Sequence, residues 1–336
     1  MIIINKNMSG MYFNSNVFSR YRAELMGIAT LMIIMCHLPA QGVVMPSVMA
    51  RIIASGGIGC DVFLFLSGMG MWYSMNSVRS GKVSIFRWYL KRYIRILVPY
   101  LMIVIPVCVS NGNSILEILI HATGFDFFVY RLALWFVSCI LLLYVLTPLI
   151  DWLFMSACRW LWLSLLTVLC ITFAYMDLGD GIIQNWQFVI SRFPSYFIGY
   201  LLAGDIKESK HISVQWMIVL PLVLYIILYI LNHRFGCNFS LFWLQGIPVM
   251  TIAVLVLSKL NTSKLNTVLA FLGTISLESY ATNVLVLPRM KSWSWSVADI
   301  DLNPGNWTFY IIGTVICLIV SMIVNRVSKM LINKIQ

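Results

Sequence analysis

Arg22-Ala-Glu-Leu-Met-Gly-Ile-Ala-Thr-Leu-Met-Ile-Ile-Met-Cys-His37 is an apolar run of helical length with a charged entry and a histidine at its far end. Its fifteen steps cover about 22 Å of α-helix. His37 is one of four histidines and is read as the one set inside an apolar run. An ionisable side chain at membrane depth is costly and marks a functional site by default. The stretch is therefore read both as a membrane helix and as the carrier of a reactive group.

The rest of the chain has the same character. Of its 336 residues 60% are hydrophobic and only 10% charged, with a mean hydropathy of +0.88, whereas soluble domains carry about 25% charged residues. This composition excludes a soluble globular enzyme and predicts an all-α polytopic transmembrane bundle of about ten helices. The segments of spanning length fall at about 23–40, 57–76, 95–111, 132–150, 159–176, 185–204, 213–231, 239–258, 267–287 and 307–325. Pro99 and Pro106 lie in the third, which buried helices tolerate when neighbours satisfy the freed backbone. The first twenty residues are too polar for a signal peptide. No soluble domain, repeat or low-complexity tail stands out, so residues 1–336 read as one membrane domain, with 1–20 and 326–336 as cytoplasmic ends.

The formal charge of +11 does not indicate nucleic acid as a partner, because the basic residues recur at the ends of apolar runs, where they set orientation. With the N-terminus inside and the spans alternating, seventeen of the 23 Lys and Arg residues fall on the cytoplasmic side. Arg51, Arg131, Arg234, Arg289 and Lys291 fall outside, and Arg192 lies within a span. Both termini are thus expected in the cytoplasm. The outer loops lean acidic, with Glu117, Asp126, Asp177, Asp180, Asp299 and Asp301. Two of them, about 112–131 and 288–306, are long enough to cover an outward-facing site. Trp293, Trp295 and Trp307 mark either the membrane interface or a sugar-stacking platform. The eight cysteines have neither metal-ligand nor disulfide-framework spacing, and no metal is expected.

Four further groups carry polar chemistry. The second span opens Gly59-Cys-Asp-Val-Phe-Leu-Phe-Leu-Ser-Gly68. Its Asp61 starts on the same side as His37, where a carboxylate would hold an imidazole in one tautomer and stabilise its protonated form. The glycines permit close helix approach, and Ser67 is a weak nucleophile candidate. Next, Arg87, Lys91 and Arg95 recur at i, i+4 and i+8 beside Arg92, forming one basic helical face. That face suits anionic lipid headgroups or the phosphates of a nucleotide-type ligand. Glu24 lies beside Arg22 at the cytoplasmic mouth. Arg192 in Arg192-Phe-Pro-Ser195 and Glu278 in Gly273-Thr-Ile-Ser-Leu-Glu-Ser-Tyr280 lie mid-span, either as a buried Arg–Glu pair or as parts of a polar interior.

Taken in order, these motifs resemble the integral-membrane acyltransferase 3 family. The carriers are Leu25-Met-Gly-Ile-Ala29 leading to His37, Gly59 through Gly68, and Phe86 through Arg92, Arg95, Pro99 and Tyr100. They continue with Leu134-Trp-Phe136, Tyr144 and Pro148, then Arg192-Phe-Pro194 with Gly199, and Gly273, Ser276 and Tyr280. The resemblance implies an O-acyltransferase, in the first instance an O-acetyltransferase, of the bacterial inner membrane. Its donor would be acetyl-CoA or another acyl-CoA, with no permanently bound cofactor, and its acceptor a hydroxyl of a glycan, polysaccharide or lipid-linked sugar. It implies His37 as the catalytic residue and Arg92 and Arg95 on the coenzyme A phosphates; Asp61 is read as the partner of His37 from its placement, and Arg87 as a further phosphate contact from the basic face. Arg22, Glu24, Ser67, Arg192, Glu278 and Tyr280 are expected to support the substrates. Two positions depart from the family pattern: Met26 stands where an arginine belongs, one helical turn from Arg22, and Asn283 stands where a histidine is frequent. The alternative from another class is an exporter of an acylated or anionic small molecule.

Overall fold

Apolar runs bounded by polar and basic residues fold as helices, and the computed structural model is helical nearly throughout. It describes residues 11–130, 134–179, 181–235, 241–260, 262–292, 296–297, 300–301 and 306–335. Lys6, Arg131, Asp180, Cys237, Trp293, Trp295 and Asp299, and the side chains of Lys291 and Asp301, lie outside the described residues.

In chain order the helices are α1 (Val17–Arg20), α2 (Arg22–Cys36), α3 (Ser47–Ala54), α4 (Ile58–Arg79), α5 (Ile85–Ser110), α6 (Ile115–Ala122), α7 (Phe127–Tyr130) and α8 (Trp135–Phe154). They continue with α9 (Arg159–Tyr175), α10 (Ile182–Ile190), α11 (Phe193–Lys207), α12 (Leu220–Phe235), α13 (Phe242–Leu260), α14 (Ser263–Thr274), α15 (Ser276–Leu285) and α16 (Trp307–Ile335). Short strands β1 (Tyr12–Asn14) and β2 (His211–Ser213) pair antiparallel, Phe13 opposite Ile212.

Six helical stretches among the described residues are long and apolar enough to cross a membrane: Ser47–Arg79, Ile85–Ser110, Trp135–Phe154, Gln215–Arg234, Phe242–Leu260 and Trp307–Lys334. A seventh is the pair Ser263–Thr274 and Ser276–Met290, bent by 65°. Helix occupies every one of the ten segments expected from sequence, but three of them are shorter than a full span. Helix α2 has 15 residues and α9 has 17, and the sixth segment breaks at Ser191–Arg192 into α10 and α11. The long helices present apolar side chains outward, as contact with lipid requires. Gln215–Arg234 is only 11% buried, and α16 exposes Ile311, Val315, Ile319 and Ile323 in one stripe.

The chain forms two compact units, each built of discontinuous segments. The first comprises Met1–Ala29, Ile58–Val83 and Val145–Gly273. Its centre is the seam between α4 and α11. A Cβ on Gly68 would fall 2.2 Å from the Tyr196 carbonyl oxygen, and one on Gly199 would fall 2.1 Å from that of Phe65. Main chain therefore rests on main chain, an approach only glycine permits. Phe65 meets Gly199 and Trp72 meets Gly204, so the two helices run parallel. Helix α13 joins the seam through Gly246, which packs on the Cβ of Asp61.

The second unit comprises Thr30–Gly57, Ser84–Tyr144 and Thr274–Gln336. Its core gathers Ile34, Leu38, Val43, Ile53, Leu287, Met290, Phe309, Tyr310 and Cys317. Around it, α15 and α16 pack on each other and both pack on α5. Helix α5 carries Pro99 and Pro106 without a break. The turn after α6 is tied down on two sides: Tyr100 donates to the His121 carbonyl (2.8 Å) and Ser138 to that of Gly124 (2.7 Å).

Gly199→Leu should force α4 and α11 apart. The cost should exceed the roughly 1–3 kcal/mol of ordinary overpacking, because the obstacle is backbone. Size-exclusion profiles and thermal unfolding in detergent check this, with Val315→Leu, at an exposed position of α16, as control. A monodisperse Gly199→Leu protein with unchanged melting would contradict the seam.

Candidate functional site

In the first unit, the requirement that buried charge be paired is met at both ends of the α4–α11 seam. Asp61, fully buried on α4, forms an ion pair with Arg192, which stands at the N-cap of α11. Its second oxygen accepts from Ser195 Oγ at 2.9 Å. The Arg192 guanidinium also lies 4.5 Å from the Phe242 ring and 5.4 Å from that of Phe188, which adds cation–π attraction in a dry setting. At the other end Asp151 pairs with Arg79 and accepts from Tyr200 (2.5 Å), while Arg79 lies 5.2 Å from the Trp72 ring. Arg22 donates to the Leu66 carbonyl at 3.5 Å and passes close over Gly70. It therefore engages the second-span helix. Glu24 and Ser67 are half-buried.

The second unit holds His37, one residue beyond α2. Its Nδ1 is 2.8 Å from Oδ1 of Asn283, which sits on α15 and is 1% exposed. The ring itself is only half-buried, and its Nε2 has no hydrogen-bond partner among the described residues. On the same helix Glu278 is buried and accepts from Asn325 Nδ2 (2.8 Å), which also bonds the Thr274 carbonyl (3.0 Å). Arg95 of α5 and Lys329 of α16 both lie within electrostatic reach of that carboxylate. Tyr280 is buried with its ring edge-to-face on Phe136 at 5.9 Å. Ser84 caps the start of α5. Arg87, Lys91 and Arg95 are exposed along one face of it, with Arg92 half-buried beside them and Trp88 buried.

One expected pairing is corrected, and of the two alternatives for Arg192 and Glu278 the mutual pair falls away. Asp61 does not orient His37: both its oxygens are engaged by Arg192 and Ser195, and the acceptor at His37 is Asn283. Arg192 and Glu278 do not pair either; each has its own partner, Asp61 and Asn325. A third reading also changes, since His37 is not the one histidine taken into apolar surroundings. His121 on α6 is 7% exposed, with Nδ1 held 2.9 Å from Asp126, whose other oxygen accepts from the Phe127 N–H. Burial pushes the Asp126 carboxyl above its usual range, against the pull of His121. Glu117, by contrast, is drawn below its usual range by the Ser114 N–H in a capping box.

The pairings at Asn283, Asp151 and Asp126 were not expected. A signal for the first was present, because Asn283 stands where the resemblance led one to expect histidine. The two aspartates lie just at the ends of apolar runs, where an acid that must be buried needs a named partner. Among the described residues no cluster of histidine, cysteine and acidic side chains has metal-holding geometry.

The chain matches the family model described as an acyltransferase domain over residues 25–326. No curated protein and no solved structure gives a significant match.

Breaking the buried pair by Asp61→Leu or Arg192→Leu should each cost roughly 3–5 kcal/mol, while the double replacement should cost clearly less than the two together. Melting temperatures of the two single variants and the double in detergent test this. Strictly additive losses would mean that the two side chains are not coupled.

Proposed function

Because the chain belongs to the integral-membrane acyltransferase 3 family and is an acyltransferase, we propose that it moves an acyl group, acetyl in the first instance, from acyl-CoA to a hydroxyl of a glycan or lipid-linked sugar. The observation that carries the reading is His37: a half-buried imidazole with one nitrogen anchored on a buried amide and the other open. A general base requires that arrangement, with one atom held and one free to take a proton.

His37 takes the proton of the acceptor hydroxyl as its oxygen attacks the thioester carbonyl. The tetrahedral adduct collapses with cleavage of the C–S bond, and the departing thiolate takes the proton back from the imidazolium. The products are the ester and free coenzyme A. Arg92 and Arg95, with Arg87, supply guanidinium forks for the coenzyme A phosphates. Arg95 also has Glu278 within electrostatic reach.

The proposed setting is a bacterial inner membrane, with ten helical segments and both termini in the cytoplasm. In that orientation the basic start of α5 faces the donor pool. Arg22 anchors α2 at the same side, where its guanidinium bonds the Leu66 carbonyl one helical turn from Met26. The exporter alternative explains the polar interior but not family membership.

His37→Ala should abolish transfer of labelled acetyl groups from acetyl-CoA in proteoliposomes at unchanged protein abundance. Arg92→Gln with Arg95→Gln should raise KM for acetyl-CoA at least tenfold. Retained activity in His37→Ala would end the mechanism. An unchanged KM in the arginine variant would return the basic face to lipid headgroups.

A further inference from the structure

His37 and Asn283 belong to a closed ring of polar contacts that returns to the helix it started from. Tyr310 of α16 donates its hydroxyl proton to the Ile34 carbonyl, one turn before His37 on α2. The Asn283 amide interacts with the same Tyr310 hydroxyl. Asn283 Oδ1 then stands against His37 Nδ1 at 2.8 Å. The contacts thus pass from α2 to α15, to α16, and back to α2.

The ring has a direction. A tyrosine has one proton to donate, and this one is used on Ile34, so Tyr310 presents only lone pairs to the amide. The amide must turn its NH2 side toward Tyr310, because the reverse would set two acceptor oxygens face to face in a buried site. Asn283 Nδ2 is buried and makes no hydrogen bond among the described residues, so the interaction with Tyr310 is electrostatic and orients the amide without saturating it. With Oδ1 committed to His37, the imidazole nitrogen facing it must carry the proton. Neighbouring contacts keep the amide from swinging away. Thr282, next in the chain, bonds Ser321 Oγ (2.9 Å) and the Cys317 carbonyl (3.3 Å) on α16.

We propose that Asn283, oriented by Tyr310, is a positioning residue that holds His37 in the Nδ1–H tautomer and so makes Nε2 the proton-accepting atom. The inference rests on the reading of His37 as the base, and it adds which atom acts and what selects it. Nε2 is not among the buried polar atoms lacking a partner, so it remains reachable by a substrate hydroxyl. The neutral amide also differs in kind from a carboxylate: it fixes the tautomer without adding a charge that would favour the imidazolium.

The test is nitrogen NMR of protein labelled with 15N-histidine, with His37 assigned by its loss in His37→Ala. The expected spectrum places the His37 proton on Nδ1 in the full-length protein and in Asn283→Asp, which keeps an acceptor oxygen. In Asn283→Leu the preference should be lost, with kcat reduced at least tenfold and KM for acetyl-CoA unchanged. Tyr310→Phe, which removes the ring's other anchor but keeps its bulk, should weaken the preference in the same direction and serves if Asn283→Leu fails to fold. A proton on Nε2 in the unaltered protein, or an Nδ1–H signal untouched by both variants, overturns the proposal. An active His37→Ala alongside the expected spectra would instead sink the base reading and leave the tautomer assignment standing.

Discussion

The contact of α4 with α11 is main chain on main chain, and much of the first unit follows from it. Gly68 and Gly199 leave no room for a side chain between the helices, so the residues around them are placed to within the width of an atom. Asp61 is thereby buried where Arg192 and Ser195 can take both its oxygens. Toward the other end Gly204 admits the Trp72 ring, and Arg79 and Tyr200 meet on Asp151. An apolar seam closed at each end by a buried ionic cluster is a register device: slipping either helix by one turn would strand a carboxylate and a guanidinium in a medium with no water to receive them.

The second unit uses polar groups differently. Glu278 and Asn325 join α15 to α16, and the His37–Asn283 contact joins α2 to α15, so neutral amides do much of the holding. Asn325 bonds two acceptors at once, and Asn283 receives the imidazole. His121 and Asp126 close the turn after α6 with Tyr100 and Ser138 beneath it. His37 is less buried than these groups, with Nδ1 on Asn283 and Nε2 without a hydrogen-bond partner among the described residues.

Helix α2 shows how one segment serves both ends of this scheme. Its start is bound through Arg22 to the backbone of α4, and its end delivers His37 to Asn283. Fifteen residues make it shorter than a bilayer core, which requires about 20. Leu25, Ala29, Thr30, Ile33 and Ile34 are buried along it.

The helical class, the long apolar segments and the order of motifs were legible in the sequence, because apolar length and charge placement are local properties. So was the need of His37, Asp61, Arg192 and Glu278 for polar partners, since each is an ionisable residue in an apolar run. Their partners were not. Asp61 and Arg192 are 131 residues apart, and His37 and Asn283 are 246 apart. Asp61 seemed suited to His37 because alternation put both near one face, but sidedness constrains depth alone, not which helices touch. The break at Arg192 was hidden as well, since a guanidinium bonded at a helix N-cap and one in mid-span look alike in a string of letters. What the sequence by itself determined was the medium this chain folds in and which side chains would be costly there. Which of those side chains satisfy one another was decided only by the tertiary packing, because a buried charge is settled by the groups within 3 Å of it, and at the α4–α11 seam the close approach of Gly68 and Gly199 to the facing backbone chooses those groups.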